Sequence, residues 1–289
     1  MKCARKIILY PNAKRDIGFK TALDVKERLS ALNRHSVICY VPEGDTVDAL
    51  PEGIETKNLE DELPNAQMII TFGGDGTILR AARETIDVDV PILGVNMGGK
   101  GFMAEIEPTE LSLIDDVAKG KYTIENRMML DVEIHRFGHV VYRDFALNDV
   151  VVRGDHKVID LILFGDRQQI TAFSGDGAVI STPTGSTAYS MAAGGPIVEE
   201  AAQNIILTPI CPHVIEAKSF VLMPDRKVTV ELGKKRNNPA FISVDGGNHL
   251  TLESTDVVFV AKSSRYTQLV RLSNRSFYKK VSEKLGERP

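Results

Sequence analysis

The sequence predicts an α/β N-terminal domain with a parallel sheet, followed by a mostly antiparallel β domain. Three observations carry that expectation. Over roughly the first 120 residues, apolar runs of strand length alternate with helical patterns, the texture of parallel strands joined by crossover connections. After about Asn126 the runs become short, β-rich and separated by turn residues, which suits antiparallel pairing. Two of the early strands end in glycine-rich turns, at the sheet edge where open α/β folds bind ligands.

The elements follow in order. Residues 7–10 form a first buried strand. The preceding stretch is basic, but four apolar residues before Pro11 are too few for a secretory segment. Residues 17–32 place Ala22, Val25, Leu29 and Leu32 on one helical face, at steps of three, four and three. Strands are expected at 37–41, 68–72 and 91–95, with a helix from about Ile78. In the second half, strands are expected at 129–135, 140–147, 149–152, 158–164, 169–173, 226–232, 241–244 and 256–261. A helix is expected over about 188–204, and the stretch running through Asn274-Arg275-Ser276-Phe277-Tyr278 is amphipathic and helical.

Composition narrows the function. At 289 residues, two domains are expected. A formal net charge of −4 gives no global basic field for nucleic acid. Cys3, Cys39 and Cys211 are widely spaced and show no metal-ligand pattern, so they read as reduced thiols of a cytoplasmic protein. His135 and His139 lie in β-like sequence and do not share a helical face. No apolar run approaches the roughly 20 residues that span a bilayer.

Gly73-Gly74-Asp75-Gly76-Thr77 ends the third strand and opens a helix. Glycines there let the backbone approach a ligand closely and tolerate positive φ. A helix start aims N–H groups and partial positive charge at the same point, which suits phosphate. Asp75 does not belong in a plain anion cradle, since a carboxylate repels phosphate unless it accepts a proton or acts through a metal ion. The alternative is a structural turn with Asp75 capping the helix. Arg80, one turn on, could reach a phosphate or sit in solvent. Asn96-Met97-Gly98-Gly99-Lys100-Gly101-Phe102 follows the fourth strand, so two glycine-rich turns at one edge could form one crevice. Phe102 fits either a pocket wall or the core.

A second signal runs from Ser174 to Ser190 and is dense in glycine, serine and threonine. Short hydroxyl side chains donate and accept. Gly185 permits close approach, Ser186 or Thr187 could cap the helix near Ala188, and Tyr189 adds an aromatic plate. A polar passage with an aromatic beside it suits a nucleoside. Taken alone, Asn148-Asp149, Asp176 and Asp245 also read as turn residues.

Together, the two signals resemble the NAD kinase family. The similarity extends over most of the chain. It includes Leu93-Gly94-Val95-Asn96, Gly101-Phe102, Leu147-Asn148-Asp149, residues 181–190 and Ser243-Val244-Asp245-Gly246. Diacylglycerol and sphingoid-base kinases carry a similar glycine motif but lack the long run from 174 to 196. The resemblance implies transfer of the terminal phosphoryl group of a nucleotide to the 2'-hydroxyl of the adenosine ribose of NAD, giving NADP. It implies an α/β phosphate-donor domain, 1–125 plus about 265–289, and a β-rich NAD-binding domain of stacked sheets, 126–264.

By the same resemblance, Asp75 is the proton acceptor, with Gly73, Gly74, Gly76, Thr77, Arg80, Asn96 and Phe102 around the ligand. Asn148 and Asp149 match a pair that binds the adenine and ribose side; Asp149 is shorter than the glutamate this family also uses there. Thr184, Thr187, Ala188, Tyr189, Ser190 and Ala192 match the adenine side, and Asp176 and Asp245 match acids near the nicotinamide half. The substrates implied are NAD as acceptor and ATP as donor, with Mg²⁺ or another divalent cation. A homo-oligomer, dimer or tetramer, with a shared active site is implied as well. Two other functions compete. A lipid or small-alcohol kinase needs an apolar acceptor pocket, for which 184–189 is too polar. A non-catalytic dinucleotide module gains nothing from an acid beside phosphates.

Overall fold

The structure is a computed structural model that describes residues 6–42, 51–98, 101–214, 217–233, 238–272 and 276–286. Cys3, Gly99, Lys100, Asn274 and Arg275 lie outside the described residues. The chain divides into two compact units, Met1–Asn126 with Thr267–Pro289, and Arg127–Tyr266.

In the first unit, β1 (Lys6–Pro11), β2 (Ser36–Ile38), β3 (Ala66–Gly73) and β4 (Ile92–Asn96) pair in the order β2-β1-β3-β4, all parallel. The helices between them are α1 (Lys20–Ala31), α2 (Leu59–Glu62) and α3 (Asp75–Glu84), and α4 (Ile114–Ala118) follows β4. β3 is buried along nearly its whole length, as expected of a central parallel strand covered on both faces. α1 buries Ala22, Val25 and Leu29 of the expected stripe, while Leu32 is its C-cap and only partly buried. A 3-10 turn, Ile17–Phe19, leads into it. The buried carboxylate of Asp16 accepts the N–H groups of Thr21 and Ala22, satisfying donors in the helix's first turn. Ile7, Leu9, Phe19, Leu29, Ile70 and Val95 belong to one buried apolar cluster.

The helix expected from about Ile78 begins three residues earlier, so Asp75 stands in the first turn of α3 with Gly74 as its N-cap. Glycine's low helix propensity conceals that start in the sequence. β3 and β4 align Gly73 with Asn96, and the N–H of Met97 donates to the Gly73 carbonyl. The two turns therefore leave the sheet side by side.

The second unit holds two antiparallel sheets. Its strands are β5 (Thr123–Arg136), β6 (His139–Ala146), β7 (Asp149–Gly154), β8 (Ile159–Gly165), β9 (Gln168–Gly175), β10 (Gly177–Ser181), β11 (Ile205–Ile210), β12 (Phe220–Leu222), β13 (Val228–Leu232), β14 (Ala240–Val244), β15 (Leu250–Leu252) and β16 (Asp256–Arg271). One sheet runs β12-β11-β10-β7-β14-β15; the other runs β16-β13-β8-β9, with the β5–β6 hairpin paired to β16. Leu130, Val150, Leu161, Ile180, Leu207 and Val260 are among the side chains of their shared core.

Two expectations fail here. The helix over 188–204 shrinks to α5 (Tyr189–Ala192). Gly194 at φ +87° turns the chain out of helix, and Pro196 prevents its resumption. Nor do Ser186 or Thr187 cap α5. The Ser186 hydroxyl exchanges hydrogen bonds with the backbone of Val198, and the Thr187 hydroxyl donates to the Thr184 carbonyl. Strand β10, inside the hydroxyl-rich run, and β11 beyond it have no counterpart among the expected strands.

The last residues of β16 belong to the first unit, where Leu269 pairs in parallel with Ile92 of β4. The amphipathic segment near the chain's end forms α6 (Phe277–Gly286).

Candidate active site

Asp75 is set by both ends of its loop. Gly73 cannot carry a side chain, because a Cβ there would lie 2.1 Å from the Thr77 hydroxyl oxygen. That hydroxyl is buried and accepts a hydrogen bond from the Asn12 amide at 3.2 Å. Gly74 and Gly76 are different: a Cβ at either meets open space. None of the three has positive φ, so they relieve no backbone strain. The carboxylate is partly buried. Its Oδ2 accepts the N–H of Phe102 at 2.8 Å and its Oδ1 the N–H of Met103 at 3.1 Å. Burial pushes its pKa up, while the N–H groups of Phe102, Met103 and Ala104 and the ammonium of Lys280 pull the other way. The net shift is upward, which makes Asp75 a stronger proton acceptor than a solvated aspartate.

Asn96 is buried beside it. Its amide donates to both oxygens of Glu107, at 3.0 and 3.1 Å, and its carbonyl oxygen accepts the N–H of Gly98. Phe102 meets Asp75 through its backbone and is itself partly exposed. Arg80 turns toward the sheet, donating to the Tyr10 hydroxyl and the Val41 carbonyl at 3.0 and 2.6 Å.

A second constellation lies in the second unit, where β6 passes into β7. Asp245, at φ +49°, accepts the N–H groups of Leu147, Asn148 and Asp149 at 2.7, 2.7 and 3.0 Å. One carboxylate thus fixes three consecutive peptides. Thr182 adds to this, donating its hydroxyl to the Leu147 carbonyl and its N–H to the Asn148 carbonyl. A Cβ at Gly185 would lie 2.1 Å from that Asn148 oxygen, so only glycine allows the approach. Held in this way, Asn148 keeps a buried side-chain oxygen with no partner among the described residues, and such an atom is costly unless a ligand donates to it. Asp149 is buried, and burial together with the Asp245 carboxylate pushes its pKa up to about 7.

The remaining expected residues fall near these loops. Thr184 is buried and accepts from Arg127 at 3.3 Å. Ser190 is buried and shares a hydrogen bond with Thr208. Thr187 and Ala188 are partly buried, and Tyr189 and Ala192 are exposed. Asp176, exposed between β9 and β10, lines a cavity of about 300 Å³ with Tyr189, Arg153, His156 and Lys157. Three basic groups facing one acid favour an anionic ligand. Among the described residues, no cluster of three or more His, Cys, Asp or Glu side chains is placed to hold a metal ion. No helix among them is long and apolar enough to cross a membrane.

Sequence reasoning missed Arg127, Glu107 and the basic rim of the Asp176 cavity. Arg127 is fully buried and pairs with Glu200 at 2.7 Å; its only sequence signal is an arginine just before an apolar strand. Arg153-Gly154-Asp155 reads as a turn, although Arg153 and Gly154 end β7 and line that cavity.

Known proteins resemble this chain in sequence and fold. The model of the ATP-NAD kinase N-terminal domain matches residues 16–122, and that of the C-terminal domain matches 147–272. An NAD kinase of Natranaerobius thermophilus is 37% identical over 286 residues, 97% of this chain and 98% of that one. An NAD kinase of Acetivibrio thermocellus is 34% identical over 288 residues, 98% of each chain. The crystal structure of an NAD kinase from Archaeoglobus fulgidus in complex with ATP has a TM-score of 0.73 at 26% identity, covering 97% of this chain and 98% of that one. The fold is also that of yeast NADH kinase complexed with NADH, with a TM-score of 0.84 at 22% identity, covering 98% of this chain and 88% of that one. With both domain models matched in order and such relatives along nearly its full length, this chain belongs to the ATP-NAD kinase family.

Proposed function

We propose that this NAD kinase phosphorylates the 2'-hydroxyl of the adenosine ribose of NAD, with Asp75 as proton acceptor and magnesium-bound ATP as donor. The observation that carries the reading is the setting of Asp75. Both its oxygens are oriented by backbone N–H groups, its pKa is raised by burial, and the glycines beside it leave open space. A ribose hydroxyl is a poor nucleophile near neutral pH. A carboxylate within hydrogen-bond reach draws off its proton as attack proceeds, an effect typically worth about 10²–10⁴-fold. Phosphoryl transfer otherwise asks for positioning and charge neutralisation, to which the start of α3 contributes.

The acceptor's adenosine is assigned to Asn148, Asp149, Thr184, Thr187, Ala188, Tyr189, Ser190 and Ala192. The orphaned oxygen of Asn148 suits a donor on the base, and Asp149 a ribose hydroxyl. Asp176 and Asp245 are assigned to the nicotinamide side, Asp245 acting through the loop it holds. The ATP bound by the Archaeoglobus relative supports a triphosphate donor. Magnesium would enter on the donor's phosphate oxygens and neutralise charge there; no protein cluster is assigned to it. A cytoplasmic homo-oligomer completes the reading.

The test is NADP formation from NAD, ATP and Mg²⁺, with NAD binding followed by calorimetry. Asp75→Asn should bind NAD as the parent does and lose most turnover. Parent-like turnover in that variant would remove Asp75 from the mechanism.

A further inference from the structure

The peptide groups that hold Asp75 are themselves held by cations. The N–H of Met103 donates to the carboxylate, and the carbonyl of the same peptide unit belongs to Phe102. The Lys280 ammonium, on α6, donates to that carbonyl at 3.0 Å. The next carbonyl along, that of Met103, accepts from Arg271 Nη1 at 3.0 Å. Peptide C–N bonds are conjugated. A positive charge at the oxygen therefore draws electron density from the nitrogen and strengthens the N–H as a donor, as in any polarised hydrogen-bond chain.

We infer that Lys280 is a positioning residue for phosphoryl transfer, acting through the Phe102–Met103 peptide to orient and polarise the donors that fix Asp75. The inference rests on Asp75 being the proton acceptor. Lys280 is partly buried and is the charged side chain, among the described residues, whose field acts on Asp75. The other charges packed on the loop are occupied with one another. Arg271 pairs with Glu105 and Glu125, and Glu105 also accepts the N–H of Leu272. Lys284 pairs with Glu107, which holds Asn96. Arg80, on the same helix as Asp75, is directed at Tyr10 and Val41. α6 itself buries no residue completely, so its grip on the loop is polar.

Removing the Lys280 charge should do two things. It should loosen the Phe102–Met103 peptide, and it should let Asp75 take up a proton at higher pH, because a cation that favours the carboxylate is gone. The experiment measures kcat and KM against pH for Lys280→Met, Lys280→Arg and the exposed neighbour Lys279→Met. The expected result for Lys280→Met is a kcat lower by about tenfold with KM for NAD within about twofold. The acid limb of its kcat profile should move to higher pH, and Lys280→Arg should restore both. Lys279→Met should behave as the parent. Lys280→Gln keeps a polar side chain without the charge, and serves if the methionine variant does not fold.

An unmoved acid limb with parent-like kcat would overturn the inference, as would a loss that arginine does not rescue. Asp75→Asn run in parallel separates the two layers. Full turnover in that variant overturns the role of Asp75 itself. An inactive Asp75→Asn beside a parent-like Lys280→Met overturns only the role given to Lys280.

Discussion

The Asp75 loop of the first unit and the Asp245 loop of the second solve the same problem in opposite ways. Each couples a carboxylate to consecutive backbone N–H groups. In the first, the acid assigned to chemistry is the one being held, by Phe102 and Met103. In the second, the acid is the holder: Asp245 takes three N–H groups and so presents Asn148 and Asp149. Both carboxylates are bonded to backbone N–H groups, so the difference lies in what is presented: Asp75 itself in the first loop, Asn148 and Asp149 in the second. A Cβ at Gly74 or Gly76, on either side of Asp75, would meet open space, whereas one at Gly185 would strike the Asn148 carbonyl.

The contrast can be broken most forcefully at the two aspartates. Asp75→Asn should cost about 10²–10⁴-fold in kcat with little change in thermal unfolding, measured by coupled assay and calorimetry. Asp245→Ala should do the reverse in kind. Three N–H groups lose their acceptor at once, so unfolding stability should fall by roughly 3 kcal/mol or more, read by urea titration, with weaker NAD binding. If Asp245→Ala kept its stability and lost only turnover, the division of labour would be wrong.

A smaller effect separates the glycines. Gly185→Ala should destabilise by about 1–3 kcal/mol, because its Cβ must displace the Asn148 carbonyl. Gly76→Ala should cost little stability, since its Cβ meets nothing, and should raise KM for ATP. Equal stability losses in the two variants would erase the distinction between a packed glycine and one that leaves room for a ligand.

The mildest test is titration. The folded pKa of Asp149 is raised to about 7, above the unfolded carboxylate value of about 4. The native state therefore binds more protons than the unfolded state between those values, and stability falls as pH rises through that window. Above about pH 7 the loss is complete. Asp149→Asn removes the ionisation, so its melting temperature should exceed the parent's by several degrees at pH 8 and by little at pH 4. A constant difference across that range would mean that Asp149 titrates normally.

Much of this was legible in the sequence, for physical reasons. β3 is a run of apolar residues ending in glycines, and α1 carries a stripe at helical spacing; both signals are local. The family resemblance lay in short motifs and was equally legible. β10 was hidden because its glycine and serine look like a loop, and only its place between β7 and β11 makes it a central strand. The helix expected over 188–204 stops at Ala192, where Gly194 turns the chain and Pro196 prevents a restart. The grip of Asp245 on residues 147–149, of Lys280 on Phe102, and of Arg127 on Thr184 spans 57 to 178 positions of sequence. No local pattern announces contacts of that separation.

The first unit draws on residues beyond 266, which a ribosome makes only after the whole second unit. Domains generally fold as they emerge, but this one must wait for Arg271 and Lys280 before the Phe102–Met103 corner has its cations. A growing polypeptide should therefore show no turnover until α6 docks. A bulky tag fused directly behind α6 should disturb activity more than the same tag placed ahead of β1.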